Sequence, residues 1–229
     1  MKRVLITGAS GTIGAALAKA FLRDFEVVGT YLNDEISARE LEKLGVRMIK
    51  CNVADRAEVA SLRSEVCSCD ILINNAGISQ IKLFTDTTPD DWDKMMSVNL
   101  TGAYNVTREF LPPMINKKSG AIINITSVWG VYGASCEVAY STAKAGLIGF
   151  TKALSKELGP SGITVNAIAP GVIEGKMNGS FSQEEIAELC EQTPLGRMGN
   201  ADDVAKAALY LSTADFVTGQ ILGVDGGFY

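Results

Sequence analysis

The sequence contains no histidine, the side chain that most often transfers protons near neutral pH and commonly binds metals. Its five cysteines, at positions 51, 67, 69, 136 and 190, are odd in number and scattered. Cys67 and Cys69 are separated by one residue, which is not the C-x₂-C spacing of zinc and redox sites. We therefore predict no metal site, and reduced thiols in a reducing compartment.

The sequence also lacks an excess of basic residues and any long apolar run. A formal net charge of −5 gives no electrostatic basis for binding nucleic acid or an anionic membrane surface. The apolar run at the start, MKRVLITGAS, is interrupted by glycine, and no stretch reaches the roughly 18 apolar residues that cross a bilayer. These absences predict a cytoplasmic protein that binds neither nucleic acid nor a membrane.

What the sequence does contain is an alternation of short β-branched runs with longer segments of helical periodicity. Such apolar strands between helices predict a parallel sheet with helices on both faces. We predict one α/β domain over residues 1–229, a doubly wound Rossmann sheet of about seven strands. The predicted strands lie at about 2–7, 26–31, 46–53, 70–75, 120–126, 162–169 and 220–225.

One region, residues 172–200, has no place in this alternation. We predict that it is an inserted helix and loop over one edge of the sheet. Loops of that length are often functional, and we therefore expect a substrate lid.

The first predicted strand runs directly into T-G-A-S-G-T-I-G (7–14) and then into a helix. Glycines at such a turn let the backbone approach a pyrophosphate, whose charge the amides of the helix N-terminus bind. The spacing of Gly8, Gly11 and Gly14 is G-x-x-G-x-x-G, which also occurs in other tight turns. This motif alone therefore leaves dinucleotide binding open.

The end of the second predicted strand bears on the choice of dinucleotide. NAD enzymes of this fold usually place Asp or Glu there to bind the ribose 2′-hydroxyl, whereas this chain has Tyr31. Asp34 and Glu35 follow, but no Arg or Lys is clearly placed to bind a 2′-phosphate. The choice stays open, and the missing acid favours NADP(H) over NAD(H).

Tyr140 and Lys144 in Y-S-T-A-K (140–144) are a candidate proton-transfer pair. Residues four apart lie on one helix face, with Cβ atoms about 5–6 Å apart. A phenol has a reference pKa near 10, so proton transfer at neutral pH requires the phenolate to be stabilised, and a neighbouring cation does so. The same spacing also arises by chance, so the pair needs support from elsewhere in the chain.

Several separate motifs supply that support, with 13 residues from Ser127 to Tyr140. They are N-N-A-G (74–77), S-V-N-L-T-G (97–102), I-T-S (125–127), Y-S-T-A-K (140–144), V-N-A-I-A-P-G (165–171) and G-R-M-G-N-A-D-D-V with F-V-T-G-Q-I-L-G-V-D-G-G (within 196–227). In type, order and spacing, over essentially the whole chain, these motifs resemble the short-chain dehydrogenase/reductase family.

The resemblance implies roles for individual residues. Tyr140 would be the general acid in ketone reduction and the base in the reverse direction. Lys144 would lower the pKa of Tyr140 and hydrogen-bond the nicotinamide ribose. Ser127 would orient the substrate carbonyl, and Asn99 would hold a water of the proton relay.

The resemblance also implies which residues bind the cofactor, alongside Tyr140 and Lys144. These are Gly8, Ser10, Gly11, Thr12, Ile13, Gly14, Tyr31, Asn52, Val53, Asn75, Ala76, Gly77, Pro170, Gly171 and Ile173. Three positions depart from the family pattern. Thr12 replaces the usual middle glycine, Asn52 stands where Asp is frequent, and Gly175 stands where a threonine often contacts the cofactor. We expect the phosphate turn to differ in detail and the hold on the carboxamide to be weaker.

For the substrate, the overall pattern resembles the 3-oxoacyl-acyl-carrier-protein reductases, including G-L-I-G-F-T-K-A-L (146–154) and P-G-V-I-E (170–174). The segment 127–141 is closer to a sister group that reduces a 5-aminopentanone group on elongation factor P. Both carriers stay open, and ketone reduction is the shared prediction. A nonenzymatic dinucleotide sensor is a further alternative, but a sensor needs none of Asn99, Ser127, Tyr140 and Lys144.

Some expectations concern surfaces. The family usually forms tetramers, so the resemblance implies a homo-oligomer. If the substrate is attached to an acidic carrier, Arg108, Lys117 and Lys118 are the basic residues that we would test. Trp129 and Tyr132 precede Tyr140 and either shape a substrate pocket or pack locally, while we expect Cys136 to be an unreactive thiol.

Overall fold

The computed structural model describes residues 1–175 and 182–228, and within them seven strands form one parallel sheet. The strands are β1 (Arg3–Ile6), β2 (Glu26–Tyr31), β3 (Arg47–Lys50), β4 (Ile71–Asn74), β5 (Gly120–Ile125), β6 (Ile163–Pro170) and β7 (Ile221–Val224). Their order in the sheet is β3-β2-β1-β4-β5-β6-β7. The direction of winding therefore reverses between β1 and β4, which confirms the predicted doubly wound architecture.

Helices connect the strands and cover the sheet. They are α1 (Thr12–Phe21), α2 (Glu35–Lys43), α3 (Arg56–Val66), α4 (Pro89–Met96), α5 (Gly102–Lys117), α6 (Val128–Tyr132), α7 (Val138–Leu158), α8 (Gln183–Gln192) and α9 (Ala201–Thr213). Helix α4 begins with a capping box between Thr88 and Asp91. A π-helical turn, Ser97–Thr101, joins α4 to α5.

The core is divided by the sheet because successive strand side chains point to opposite faces. Val4 and Ile6 of β1 pack with Phe21 of α1 on the face that α1, α2 and α9 cover. Leu5 packs with Phe110 on the other face, under α3, α5 and α7. All five side chains are fully buried, so both faces of β1 are sealed from water.

The region 172–200 contains α8 and a parallel bridge between Ile173 and Gly199. Residues 176–181 of the predicted lid lie outside the described residues, and the lid stays a prediction. No helix in the described ranges combines the length and apolar character needed to span a bilayer.

Candidate active site

The candidate site lies at the carboxyl ends of β1, β4, β5 and β6. Thr7, Asn75 and Thr126 follow directly after β1, β4 and β5, and Pro170 is the last residue of β6. In open α/β sheets ligands bind in the crevice beside the point where the strand order reverses, which here is between β1 and β4. The topology therefore brings the predicted cofactor motifs to one edge.

The glycine turn after β1 is shaped for close backbone approach. Gly8 has φ +64°, and a Cβ there would lie 2.8 Å from the Cα of Ala76. A Cβ on Gly14 would lie 2.3 Å from the carbonyl oxygen of Gly8. Gly11 is the N-cap of α1 and makes no side-chain cap, and the first turn of α1 has no acidic residue. A helix N-terminus of this kind fits a pyrophosphate.

Two threonines and an asparagine hold this turn in place. The Thr7 hydroxyl accepts hydrogen bonds from the amides of Asn75 and Ala76, each at 3.0 Å. The Asn75 side chain donates to the carbonyls of Thr7 at 2.9 Å and Gly8 at 3.0 Å. Thr30 accepts from the Gly8 amide at 3.1 Å. Thr7 and Thr30 were not among the predicted site residues.

The departures at Thr12 and Gly175 are adjacent in space. Gly175 has φ +154°, and a Cβ on it would lie 2.6 Å from the Oγ1 of Thr12 and 2.7 Å from its Cγ2. The Thr12 side chain therefore occupies the space that a side chain at position 175 would need. The two departures, which are far apart in the sequence, are therefore in steric contact in the structure.

The residues predicted to contact the adenosine half lie at the ends of β2 and β3. Tyr31 is half-buried and packs against the core. Asp34 accepts hydrogen bonds from the amide and hydroxyl of Ser37, so its carboxylate caps α2. The Asn52 side chain accepts from the Ala54 amide at 3.1 Å, and the carbonyl of the buried Val53 accepts from an Asn105 side chain.

Ser127, Tyr140 and Lys144 meet after β5. The Ser127 hydroxyl caps α6 by accepting from the Trp129 amide at 3.2 Å, and it lies near enough to Tyr140 to lower the pKa of the phenol. Lys144 lies on the same side of α7, with Nζ 5.6 Å from the Tyr140 ring centroid. Its ammonium donates to the Ile125 carbonyl at 2.9 Å. The structure thus brings all three side chains together.

Burial dominates the ionisation of this pair. It raises the pKa of Tyr140 to about 12, with the Glu137 charge acting in the same direction and the nearby Ser127 hydroxyl in the opposite one. Burial lowers the pKa of Lys144 to about 8. We had expected the pKa of Tyr140 to be lowered. In the chain alone desolvation of the phenolate is the largest effect, and stabilisation of the phenolate by Lys144 stays a prediction.

Asn99 lies in the π-helical turn, the kind of local irregularity that frequently occurs at functional sites. Its side chain donates to the Ile78 carbonyl at 3.0 Å and accepts from the Ile78 amide at 3.2 Å. A Cβ on Gly77 would lie 2.7 Å from the Asn99 Oδ1 and 3.4 Å from the Lys144 Nζ. The lack of a side chain at Gly77 therefore leaves room for the Asn99 and Lys144 side chains beside the backbone at this position. The water that we expect Asn99 to hold stays a prediction.

The remaining predicted cofactor residues follow β6. Pro170 pairs with Val224 of β7, and a Cβ on Gly171 would lie 2.8 Å from the Cα of Asp225. The Ile173 side chain is buried in the core cluster beneath α1. The backbone at the end of β6 therefore lies in close contact with β7 and with Asp225.

The aromatic residues before Tyr140 have different surroundings. Trp129 packs against the cluster that contains Tyr140, and its ring meets Phe228 edge-on at 5.7 Å. Tyr132 is 55% exposed. Trp129 therefore packs locally beside Tyr140, whereas Tyr132 lines an open cavity of about 310 Å³ together with Val128 and Asp225.

Two of the three basic residues that we would test against a carrier lie away from this edge. Lys117 and Lys118 precede β5 and so lie at the amino ends of the strands, where Lys117 ion-pairs with Asp70. Arg108 lies on α5 and donates to the Tyr104 hydroxyl. Lys117 and Lys118 are therefore at the opposite edge of the sheet from Tyr140, which argues against their contacting a carrier docked at this site.

Comparison with known proteins gives consistent matches. A family model described as enoyl-(acyl carrier protein) reductase matches residues 8–229. Nodulation protein G of Rhizobium meliloti is 39% identical over 236 residues, covering 99% of this chain and 96% of that protein. The 3-oxoacyl-[acyl-carrier-protein] reductase of Salmonella typhimurium is 37% identical over 237 residues, covering 100% and 97%. A crystal structure of 3-oxoacyl-[acyl-carrier protein] reductase from Brucella melitensis has a TM-score of 0.92 and 38% identity, covering 99% of this chain and 90% of that one.

The fold and the comparisons define a class: a nicotinamide-dependent oxidoreductase that acts on CH–OH and C=O groups. Within that class, the match over nearly the whole length places the chain in a family. It belongs to the short-chain dehydrogenase/reductase family.

Proposed function

We propose that the protein uses NADPH to reduce the 3-oxo group of an acyl thioester carried on an acyl carrier protein. The observation that carries this proposal is that Ser127, Tyr140 and Lys144 are all buried and lie together, with the Lys144 Nζ 5.6 Å from the Tyr140 ring centroid. The names of the relatives from Salmonella typhimurium and Brucella melitensis support the substrate.

In the proposed reaction Tyr140 donates its proton to the carbonyl oxygen, and Ser127 hydrogen-bonds the same oxygen. Lys144 stabilises the phenolate that remains. Asn99 holds a water through which the proton is replaced. The nicotinamide supplies the hydride when it is bound.

Three sets of residues would hold the cofactor. The glycine turn with Ser10, Thr12 and Ile13 would bind the pyrophosphate, and Tyr31, Asn52 and Val53 the adenosine. Asn75–Gly77 with Pro170, Gly171 and Ile173 would lie along the nicotinamide half. The preference for NADP(H) rests on Tyr31 in place of an acid, since an acid there would repel a 2′-phosphate.

The test is reduction of an acetoacetyl thioester, followed by the loss of NADPH or NADH absorbance. We expect turnover with NADPH, and a loss of about 10²–10⁴-fold in Tyr140→Phe because only the proton donor is removed. Tyr210→Phe, an exposed tyrosine on α9, is the control and should keep full activity. An enoyl thioester of the same length should not be reduced, since the proposed chemistry acts on C=O.

The second candidate is the 5-aminopentanone group on elongation factor P, which the segment Ser127–Ser141 favours. Binding of NADPH without reduction of the acetoacetyl thioester, but with reduction of modified elongation factor P, would replace the first substrate by the second. Binding with no turnover of either would instead favour the sensor.

We also propose that the protein is a homo-oligomer, a tetramer by family resemblance. An open groove of about 310 Å³ runs between α5 and α7, and its lining is mostly apolar. Ile115 and Tyr104 on this groove are 40% and 38% exposed. A second copy packed on this face would cover them.

A further inference from the structure

An irregular segment, residues 78–83, lies between two parts of the candidate site, and we call it the wall segment. At its start Ile78 forms the two hydrogen bonds with the Asn99 side chain described above. Near its end the Lys82 amide donates to the Cys136 carbonyl at 2.7 Å, in the loop that leads to Tyr140. The wall segment therefore connects Asn99 to the loop before Tyr140.

Regular secondary structure does not hold the wall segment, so its position depends on the Lys82 amide bond and on individual side-chain contacts. One carboxylate supplies two of them. Asp91 accepts from the Gln80 side chain at 3.0 Å through Oδ1 and from the Lys82 ammonium at 2.7 Å through Oδ2. Asp91 and Lys82 side chains are only 23% and 33% exposed, so solvent screens the pair less than an open surface pair.

The helix that carries Asp91 also contacts the proton donor. Met95 of α4 is 2% exposed and forms a cluster with Tyr140, against which Trp92 and Ile78 pack. Asp91 directly precedes Trp92 in α4. Its hydrogen bonds with Gln80 and Lys82 therefore hold the wall segment against α4, the helix that packs on Tyr140.

We propose that Asp91 is a positioning residue that holds the wall segment as one side of the ketone site, and so sets ketone affinity more than the rate of the chemical step. The inference rests on the ketone reduction proposed above but not on the identity of the carrier. Both carboxylate oxygens of Asp91 are bonded to Gln80, Lys82 or Thr88, so we place its effect on the ketone site through Gln80 and Lys82.

Asp91 also caps α4, and this second role must be separated from the first. The Thr88 amide and hydroxyl donate to Asp91 at 3.0 and 2.9 Å. Lys82→Met removes the ion pair while leaving this cap intact. Asp91→Asn keeps the shape of the side chain but removes its charge. Lys82, Gln80 and Thr88 hold the pKa of Asp91 well below its usual range, so the carboxylate is charged at every assay pH.

The kinetic test is a double-mutant cycle of Lys82→Met and Asp91→Asn. We expect each single variant to raise the KM for the acetoacetyl thioester about tenfold, with kcat changed less than about twofold, because misplacing a binding wall weakens substrate positioning. The double variant should be no worse than the worse single variant, because the two residues act through one contact. Lys94→Met, an exposed lysine of α4, is the matched control and should leave KM unchanged.

A second measurement needs no turnover. Amide hydrogen exchange of residues 78–83 in the cofactor-free protein should become faster in Lys82→Met and Asp91→Asn but not in Lys94→Met. If exchange accelerates and no ketone is reduced by the wild type, the proposed function fails while the positioning role stands. If the wild type reduces the ketone, and both KM and exchange are the same in all variants, the positioning role is overturned. A fall in kcat with KM unchanged would also overturn it.

Discussion

At the scale of single residues, the site contains a negative charge that disfavours ionisation of its proton donor, Tyr140. Glu137 precedes Tyr140 by three residues, is half-buried, and its negative charge raises the pKa of the Tyr140 hydroxyl. In the described residues no side chain forms an ion pair with it. Lys82, in the nearby wall segment, is paired with Asp91 instead.

This arrangement predicts the effect of Glu137→Gln on alcohol oxidation, in which the Tyr140 phenolate accepts a proton. In the wild type the pKa of Tyr140 is about 12, so the phenolate fraction and kcat/KM rise with pH through the accessible alkaline range. Removing the charge of Glu137 lowers the pKa of Tyr140 and moves this rise to lower pH. At pH 9 we expect oxidation to be about two- to fivefold faster.

The matched control is Glu157→Gln, an exposed carboxylate near the other end of α7. Its pH–rate profile should superimpose on that of the wild type. If Glu137→Gln also superimposes, the Glu137 charge does not act on Tyr140.

A site residue could be predicted from the sequence where it belongs to a motif of residues close together in the chain. Tyr140 and Lys144 are one helical turn apart, and Ser127 occurs in a recognisable motif, so a linear pattern indicated all three. Thr7, Thr30 and Asp91 act through partners distant in sequence or through side chains of an irregular segment. No periodicity indicates such contacts, so they were missed.

At the scale of elements, the turn from β1 into α1 separates two glycines that look equivalent in the sequence. The space for a Cβ at Gly14 is closed by the Gly8 carbonyl at 2.3 Å, whereas at Gly11 the nearest atom lies 3.4 Å away. Neither residue has a positive φ, so the difference is one of space alone.

We therefore expect Gly14→Ala to move the turn, to weaken NADPH binding by at least about tenfold, and to lower the free energy of unfolding by about 1–3 kcal/mol. Gly11→Ala should cost about 1 kcal/mol or less, the typical effect of an unfavourable N-cap. Calorimetric titration with NADPH and denaturant unfolding measure the two quantities. Equal losses in both variants would contradict the steric account.

The elements themselves were largely predictable. Short apolar runs between helical patterns located each strand of the sheet to within a few residues, because a parallel sheet buried on both faces requires such runs. The π-helical turn at Ser97–Thr101 was not predicted, since it depends on how Asn99 bonds to Ile78 and Met95. The helix α8 fits the predicted inserted helix, whose role as a lid is untested.

At the scale of the whole molecule, the apolar groove between α5 and α7 is the surface that we propose a second copy of the chain covers. Ile115→Asp places a charge on the apolar face and should shift the homo-oligomer toward monomers. Lys43→Asp, at an exposed residue of α2 on the other face of the sheet, is the control and should leave the mass unchanged. Light scattering measures the mass, and circular dichroism confirms that each variant is folded. A wild type that is already monomeric would contradict the proposal.

The contact between Thr12 and Gly175 has a consequence for how this sequence can diverge. A side chain gained at position 175 meets the Thr12 side chain at once, whereas the same gain after Thr12 has become glycine no longer meets those atoms and is opposed only by the φ of +154°. The order in which the two mutations occur therefore changes the steric cost of the intermediate. Positions 12 and 175, far apart in the gene, are expected to change as a pair and to record which of the two changed first.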